Sequence, residues 1–194
     1  MSAVSAKQLI LMSYKWWLLV AIFLFGIGLA LGLATPGGIL GVPSEDIVAL
    51  EELADFVAAL PQALVFIFIF IKNVFAILTS FILSPVFCLV PVIALVINGG
   101  LIGLVSTSVI QEKSLGYVLA GLLPHGIFEF PALIMGEAVA LSFGTAVMLA
   151  LLKKERRNLL LPNLRRNLRY LVIALILLLP AAIIETYVTP LLLD

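Results

Sequence analysis

The sequence predicts an all-α, polytopic transmembrane bundle of about five crossings, and three observations carry that reading. Hydrophobic residues make up 63% of the 194-residue chain and charged residues 11%, against roughly 45–50% and about 25% in soluble domains. A soluble core of this size cannot hide such an excess, because small domains keep much of their surface exposed. The apolar residues also fall in runs long enough to cross a hydrocarbon layer, which takes about 20 helical residues. The third observation is segregation of charge. Seven of the eleven bases (Lys153, Lys154, Arg156, Arg157, Arg165, Arg166 and Arg169) lie in one short stretch. Five of the eleven acids (Glu45, Asp46, Glu51, Glu52 and Asp55) lie in another that holds no base. The net charge is zero, so its distribution, not its sum, reports topology.

The first crossing runs from Trp16 to about Ala34, behind Lys7 and Lys15. Its apolar stretch exceeds the 7–15 residues usual for a signal-peptide core, so we read a retained helix, with Trp16 and Trp17 at the interface. Thr35-Pro36-Gly37-Gly38 ends it. Residues 35–61 then form an extracytoplasmic loop carrying an amphipathic helix. Ser44 is its expected N-cap, with Glu45 and Asp46 favouring the positive end of the helix dipole. Ile47, Leu50, Leu53, Val57 and Leu60 recur at helical spacing, with Glu51, Glu52 and Asp55 opposite.

From Gln62 to about Ile110 the apolar run suits two crossings folded at Ser84-Pro85, since proline disfavours helix at and before its own position. After the polar turn Gln111-Glu112-Lys113-Ser114, Pro124 and Pro131 interrupt the next run. We expect a broken or re-entrant piece near 117–131, then a crossing from about Pro131 to Leu152. A cytoplasmic basic loop covers 153–168, and a final crossing runs from about Leu168 to Val188. Both basic regions belong on the cytoplasmic side. Four crossings between them satisfy this, which puts the acidic loop and the C-terminus outside. The whole chain reads as one integral membrane domain.

Ionisable and amide groups inside such runs are costly, so each asks for a reason. Asn98, His125, Glu129 and Glu185 stand out, with Lys72 and Glu137 as weaker cases. His125 and Glu129 are four residues apart and share a helix face. Pro131 frees the carbonyl of Ile127, and irregular backbone survives at membrane depth only where protein or water covers it. This stretch therefore points inward, as a relay, a solute site or a hydrogen-bonded tie between helices. Asn98 would find its partner in His125 or Glu129.

No catalytic residue, metal site or cofactor is expected. Cys88 is the sole cysteine and the chain holds one histidine, which rules out CxxC and H-E-x-x-H arrangements. A hydrolytic zinc would need Glu129 and Glu185 both to join His125. The basic stretch reads as membrane-surface attraction to anionic head groups. The expected partners are the bilayer, other membrane proteins and further copies of the chain, with no nucleic acid.

Three segments resemble the stage II sporulation protein M family. Gly121-Leu-Leu-Pro-His-Gly-Ile-Phe-Glu-Phe-Pro131 is similar to its signature, Asn98-Gly99 with Gly103 to its N-G-x-x-x-G element, and Ile184-Glu185-Thr186-Tyr187-Val188-Thr189-Pro190 to its closing I-E-x-x-x-T-P element. The resemblance implies a multi-pass membrane protein and a non-enzymatic scaffold or accessory role in a membrane complex; the intramembrane His/Glu/Asn set and the broken 117–131 piece offer a small transporter or channel as the alternative, with a metal-dependent intramembrane hydrolase behind it. It singles out Asn98, His125, Glu129 and Glu185 by position. The family's namesake works in a complex that degrades peptidoglycan during engulfment, and the resemblance implies the membrane role more firmly than sporulation.

Overall fold

The computed structural model describes residues 13–35 and 59–193. The amphipathic helix expected over 44–60 lies outside them except for its last two residues, as does Lys7. Five long helices carry the described chain: α1 (Tyr14–Ala34), α2 (Gln62–Leu83), α3 (Leu89–Glu112), α4 (Leu115–Leu152) and α5 (Leu160–Tyr187). A 3₁₀ segment (Lys154–Leu159) joins α4 to α5, and a short α6 (Thr189–Leu193) follows. All five long helices are long and apolar enough to cross a membrane. Their outward faces carry Phe23, Phe75, Ile82, Ile127 and Leu152, all exposed, as lipid solvation requires.

One expectation is corrected. The chain does not break near 117–131: α4 is a continuous helix of 38 residues with Pro124 and Pro131 inside it. Each proline removes one backbone donor and frees one carbonyl. In a bilayer no water competes for the remaining ladder, so the helix persists through both. At about 1.5 Å per residue it is longer than the roughly 30 Å hydrocarbon core. The count of five crossings is unaffected.

α1 and α3 meet along a seam of small residues. The buried stripe of α1 includes Phe25, Gly28 and Gly32, and that of α3 is Pro91, Leu95, Gly99 and Gly103. A β-carbon on Gly99 would overlap the Phe25 carbonyl oxygen, and one on Gly103 would lie 2.5 Å from the Leu29 carbonyl oxygen. Backbone therefore packs on backbone, the approach that small-xxx-small patterns permit.

α4 is central and touches every other described helix. The turn linking α2 to α3 sits on it: Ser84 is fully buried, and a β-carbon on Gly144 would strike its carbonyl. Phe87 and Cys88 hold this turn with φ of 52° and 53°, a left-handed conformation that costs a non-glycine residue about 1–2 kcal/mol. The Cys88 thiol, buried, lies 3.7 Å from the Leu141 carbonyl oxygen and 3.6 Å from the Thr145 hydroxyl.

Register fixes helix directions. Gly28 faces Val96 and Gly32 faces Gly100, so α1 and α3 run parallel. Asn73 meets Glu129 and Ser80 meets Glu137, so α2 and α4 run parallel. α5 runs against α4, with Asn163 and Asn167 on Ser142 at one end and Thr189 on His125 at the other. The alternating directions are those of successive crossings.

Candidate functional site

Four elements converge on one polar group. α4 presents His125 and Glu129 on a single face, one helical turn apart, while Leu123 and Ile127 point outward. From α2 comes Asn73, whose side-chain amide donates to Glu129 Oε1 at 3.0 Å. His125 Nε2 lies 3.7 Å from Glu129 Oε2, and the two side chains are 12% and 24% exposed. On the far side of the ring, His125 Nδ1 lies 3.4 Å from the Thr189 hydroxyl at the start of α6. Thr189 in turn donates to the Ile184 carbonyl at 3.3 Å.

Glu185 completes the group from α5. Ligand atoms of His125, Glu129 and Glu185 all lie within 4.8 Å of one another. Glu185 also lies within electrostatic reach of Lys72. It lines a cavity of about 530 Å³ between α2, α3, α4 and α5, whose wall includes Lys72, Ser106 and Tyr117 amid apolar residues such as Ile102 and Leu122. Three of the four expected positions therefore come together. The set that one histidine would need to hold a metal, set aside at the level of sequence, is assembled here.

Asn98 is the fourth and stands apart. Its amide donates back to the Ala94 carbonyl of its own helix at 2.8 Å, not to His125 or Glu129. The reason is rotational: the neighbouring Gly99 must face α1 in the seam, and each step along a helix turns the side chain about 100°.

Sequence reasoning gave no role to Asn73 or Thr189. Asn73 follows Lys72 in a run that is apolar on either side of the pair, and Thr189 stands in the closing I-E-x-x-x-T-P element after α5. The weaker case Glu137 proves to be the most enclosed acid among the described residues, 1% exposed and hydrogen-bonded by the buried Ser80 hydroxyl. A second buried cluster ties α5 to α4: Asn167 donates to Asn163 Oδ1 at 2.7 Å and to the Ser142 hydroxyl at 3.1 Å. Among the surface bases, Arg165, Arg166 and Arg169 line a smaller cavity of about 350 Å³ with Leu161 and Pro162.

Comparison with known proteins agrees with the three motifs. The chain is 33% identical over 108 residues to an uncharacterised protein of Methanocaldococcus jannaschii, a match covering 55% of this chain and 61% of that relative. No solved structure matches. The pattern defining "Stage II sporulation protein M" matches residues 19–190, nearly the whole bundle and every member of the polar group. This multi-pass membrane protein belongs to the stage II sporulation protein M family.

Proposed function

We propose that this chain is a non-enzymatic membrane protein that handles a small solute, with the α2–α5 cavity as its path and the His125–Glu129–Glu185 group as its site. The observation that supports this is the position of Glu185. It belongs both to the enclosed polar group and to the wall of a cavity that holds an opposite charge, Lys72. Ionisable groups are costly inside a membrane and face the bundle interior or a wet cavity, where they mark solute and ion pathways. An apolar wall with a few convergent polar groups is also the usual make-up of a small-molecule site. The basic regions orient the chain with its N-terminus cytoplasmic and, after five crossings, its C-terminus outside.

Proteoliposome flux tests the reading. Uptake of small amines, carboxylates and cations above that of empty liposomes should fall in Glu185→Gln, Lys72→Met and His125→Ala. Flux that survives all three substitutions overturns it.

A second reading, an accessory subunit of a larger membrane complex, is favoured by α2. This helix packs along α4 and α5 but scarcely on α3, and is the least buried of the five spans. Cross-linking from Ile71→Cys in native membranes should then yield one discrete adduct. Labelling by lipid probes alone removes this second reading.

A further inference from the structure

The hydrogen bonds around His125 dictate which of its nitrogens carries the proton. Thr189 has one hydroxyl proton, and it goes to the Ile184 carbonyl. Towards His125 Nδ1 the same hydroxyl can only accept, so Nδ1 is the protonated nitrogen. In a neutral imidazole Nε2 is then a bare lone pair. It faces Glu129 Oε2 across 3.7 Å, another acceptor, while the other Glu129 oxygen is occupied by the Asn73 amide. The carboxylate of Glu185 converges on the same point. Three lone-pair donors thus converge on one point, with the Lys72 ammonium beside Glu185 as the nearby positive charge, where low dielectric makes their mutual repulsion costly.

We propose that a divalent transition-metal ion of the zinc class binds here, held by His125 Nε2, Glu129 Oε2 and the Glu185 carboxylate, with a further position open towards the cavity. One imidazole with two carboxylates suits zinc-like ions and not calcium or magnesium, which take oxygen ligands. Bonds of about 2.0–2.2 Å draw the three atoms together by side-chain rotation from their present spacing. Outer-shell support is already in place. Thr189 fixes the ring's tautomer and Asn73 orients the Glu129 carboxylate, the roles that partners of metal ligands play. Lys72 opposes the ion, since its ammonium lies within reach of Glu185. The proposal does not rest on solute transport, because equilibrium metal binding is read in detergent without any flux.

The test uses tag-free, full-length protein in detergent, stripped with chelator and titrated with Zn²⁺ by calorimetry and with Co²⁺ by visible absorption. One equivalent should bind saturably, with cobalt ligand-field bands. His125→Ala and Glu129→Gln should abolish binding, and Glu185→Gln answers the same question should His125→Ala fail to fold. Thr189→Val keeps all three ligands yet should weaken binding by about 10–100-fold, and Lys72→Met should tighten it. Arg165→Ala should change nothing. Absence of 1:1 binding in the wild type, or binding unaltered in Glu129→Gln and Glu185→Gln, overturns the proposal and leaves a proton on Nε2 as the bridge to Glu129.

Discussion

The rings of Tyr14 and Tyr170 stack face to face, 3.8 Å between centroids and 5° from parallel. Tyr14 opens α1, and Tyr170 follows the last base of the 153–169 stretch. The start of the bundle is thereby pinned beside the basic region, as alternating crossings require. The Tyr14 hydroxyl also donates to the Met135 carbonyl on α4 at 3.4 Å.

A topology measurement follows from this pairing. In a Cys88→Ser background, Asn158→Cys and Leu192→Cys should react with a membrane-impermeant maleimide from opposite sides of the membrane, with Asn158→Cys on the cytoplasmic side. Labelling of both from one side would contradict five crossings.

The glycine seam predicts sharply position-dependent effects. Gly103→Val would drive a side chain into the backbone of α1 and should destabilise the detergent-solubilised protein by about 1–3 kcal/mol or more. Gly26, on the same helix as the seam glycines Gly28 and Gly32, has nothing within 4 Å of its would-be β-carbon. Gly26→Ala should be neutral or stabilising by up to about 1 kcal/mol, the helix-propensity gain. Reversible unfolding in mixed micelles reads both, and equal effects from the two would refute the seam.

Ser80 and Glu137 should be coupled. Removing the hydroxyl leaves a carboxyl buried at the α2–α4 contact without its donor, a change that costs about 1–3 kcal/mol. A double-mutant cycle with Ser80→Ala and Glu137→Met, each of which removes one side of the bond, should give a coupling energy of about 0.6–1.7 kcal/mol, the range of hydrogen bonds between membrane helices. Strict additivity would mean that the contact does not hold α2.

Acidic lipid should stabilise the basic end. Arg165, Arg166 and Arg169 share a cavity, and Arg166 Nε and Nη2 are buried without a protein hydrogen-bond partner. Each base near an anionic surface contributes about 1 kcal/mol. Phosphatidylglycerol should therefore raise the melting temperature of the wild type more than phosphatidylcholine does. Replacing all three arginines by alanine should remove most of that difference, and an unchanged difference would assign the effect to other bases.

Much of this architecture was legible because lipid simplifies the rules. Run lengths alone placed α1, the α2–α3 hairpin and the end of α5 within a few residues, though α5 starts at Leu160, about two turns before the expected Leu168, and takes up part of the basic stretch; the His125/Glu129 spacing showed that both share an inward face. Proline was misread at α4: in water Pro124 and Pro131 would end a helix, whereas in hydrocarbon the surviving ladder has no competitor. Asn98 misled for a different cause. An isolated amide in an apolar run announces the need for a hydrogen bond, but its own Ala94 carbonyl met that need. The pairing of Asn73 with Glu129 and of Thr189 with His125 depends on the rotation of α2 and α6 about their axes, which no single-chain pattern specifies.

The bare backbone contact between α1 and α3 bears on how the protein could change shape. Surfaces that interlock without intervening side chains have no soft layer to shear, so these two helices must travel as a single strut. α2 is fastened differently, by side chains: polar clasps at Asn73 and Ser80, with Ile77 and Phe81 seated on Gly136 and Phe143 of α4. Of the walls around Glu185, α2 is thus the one whose attachment can exchange rotamer by rotamer, and Asn73 is its clasp nearest the space.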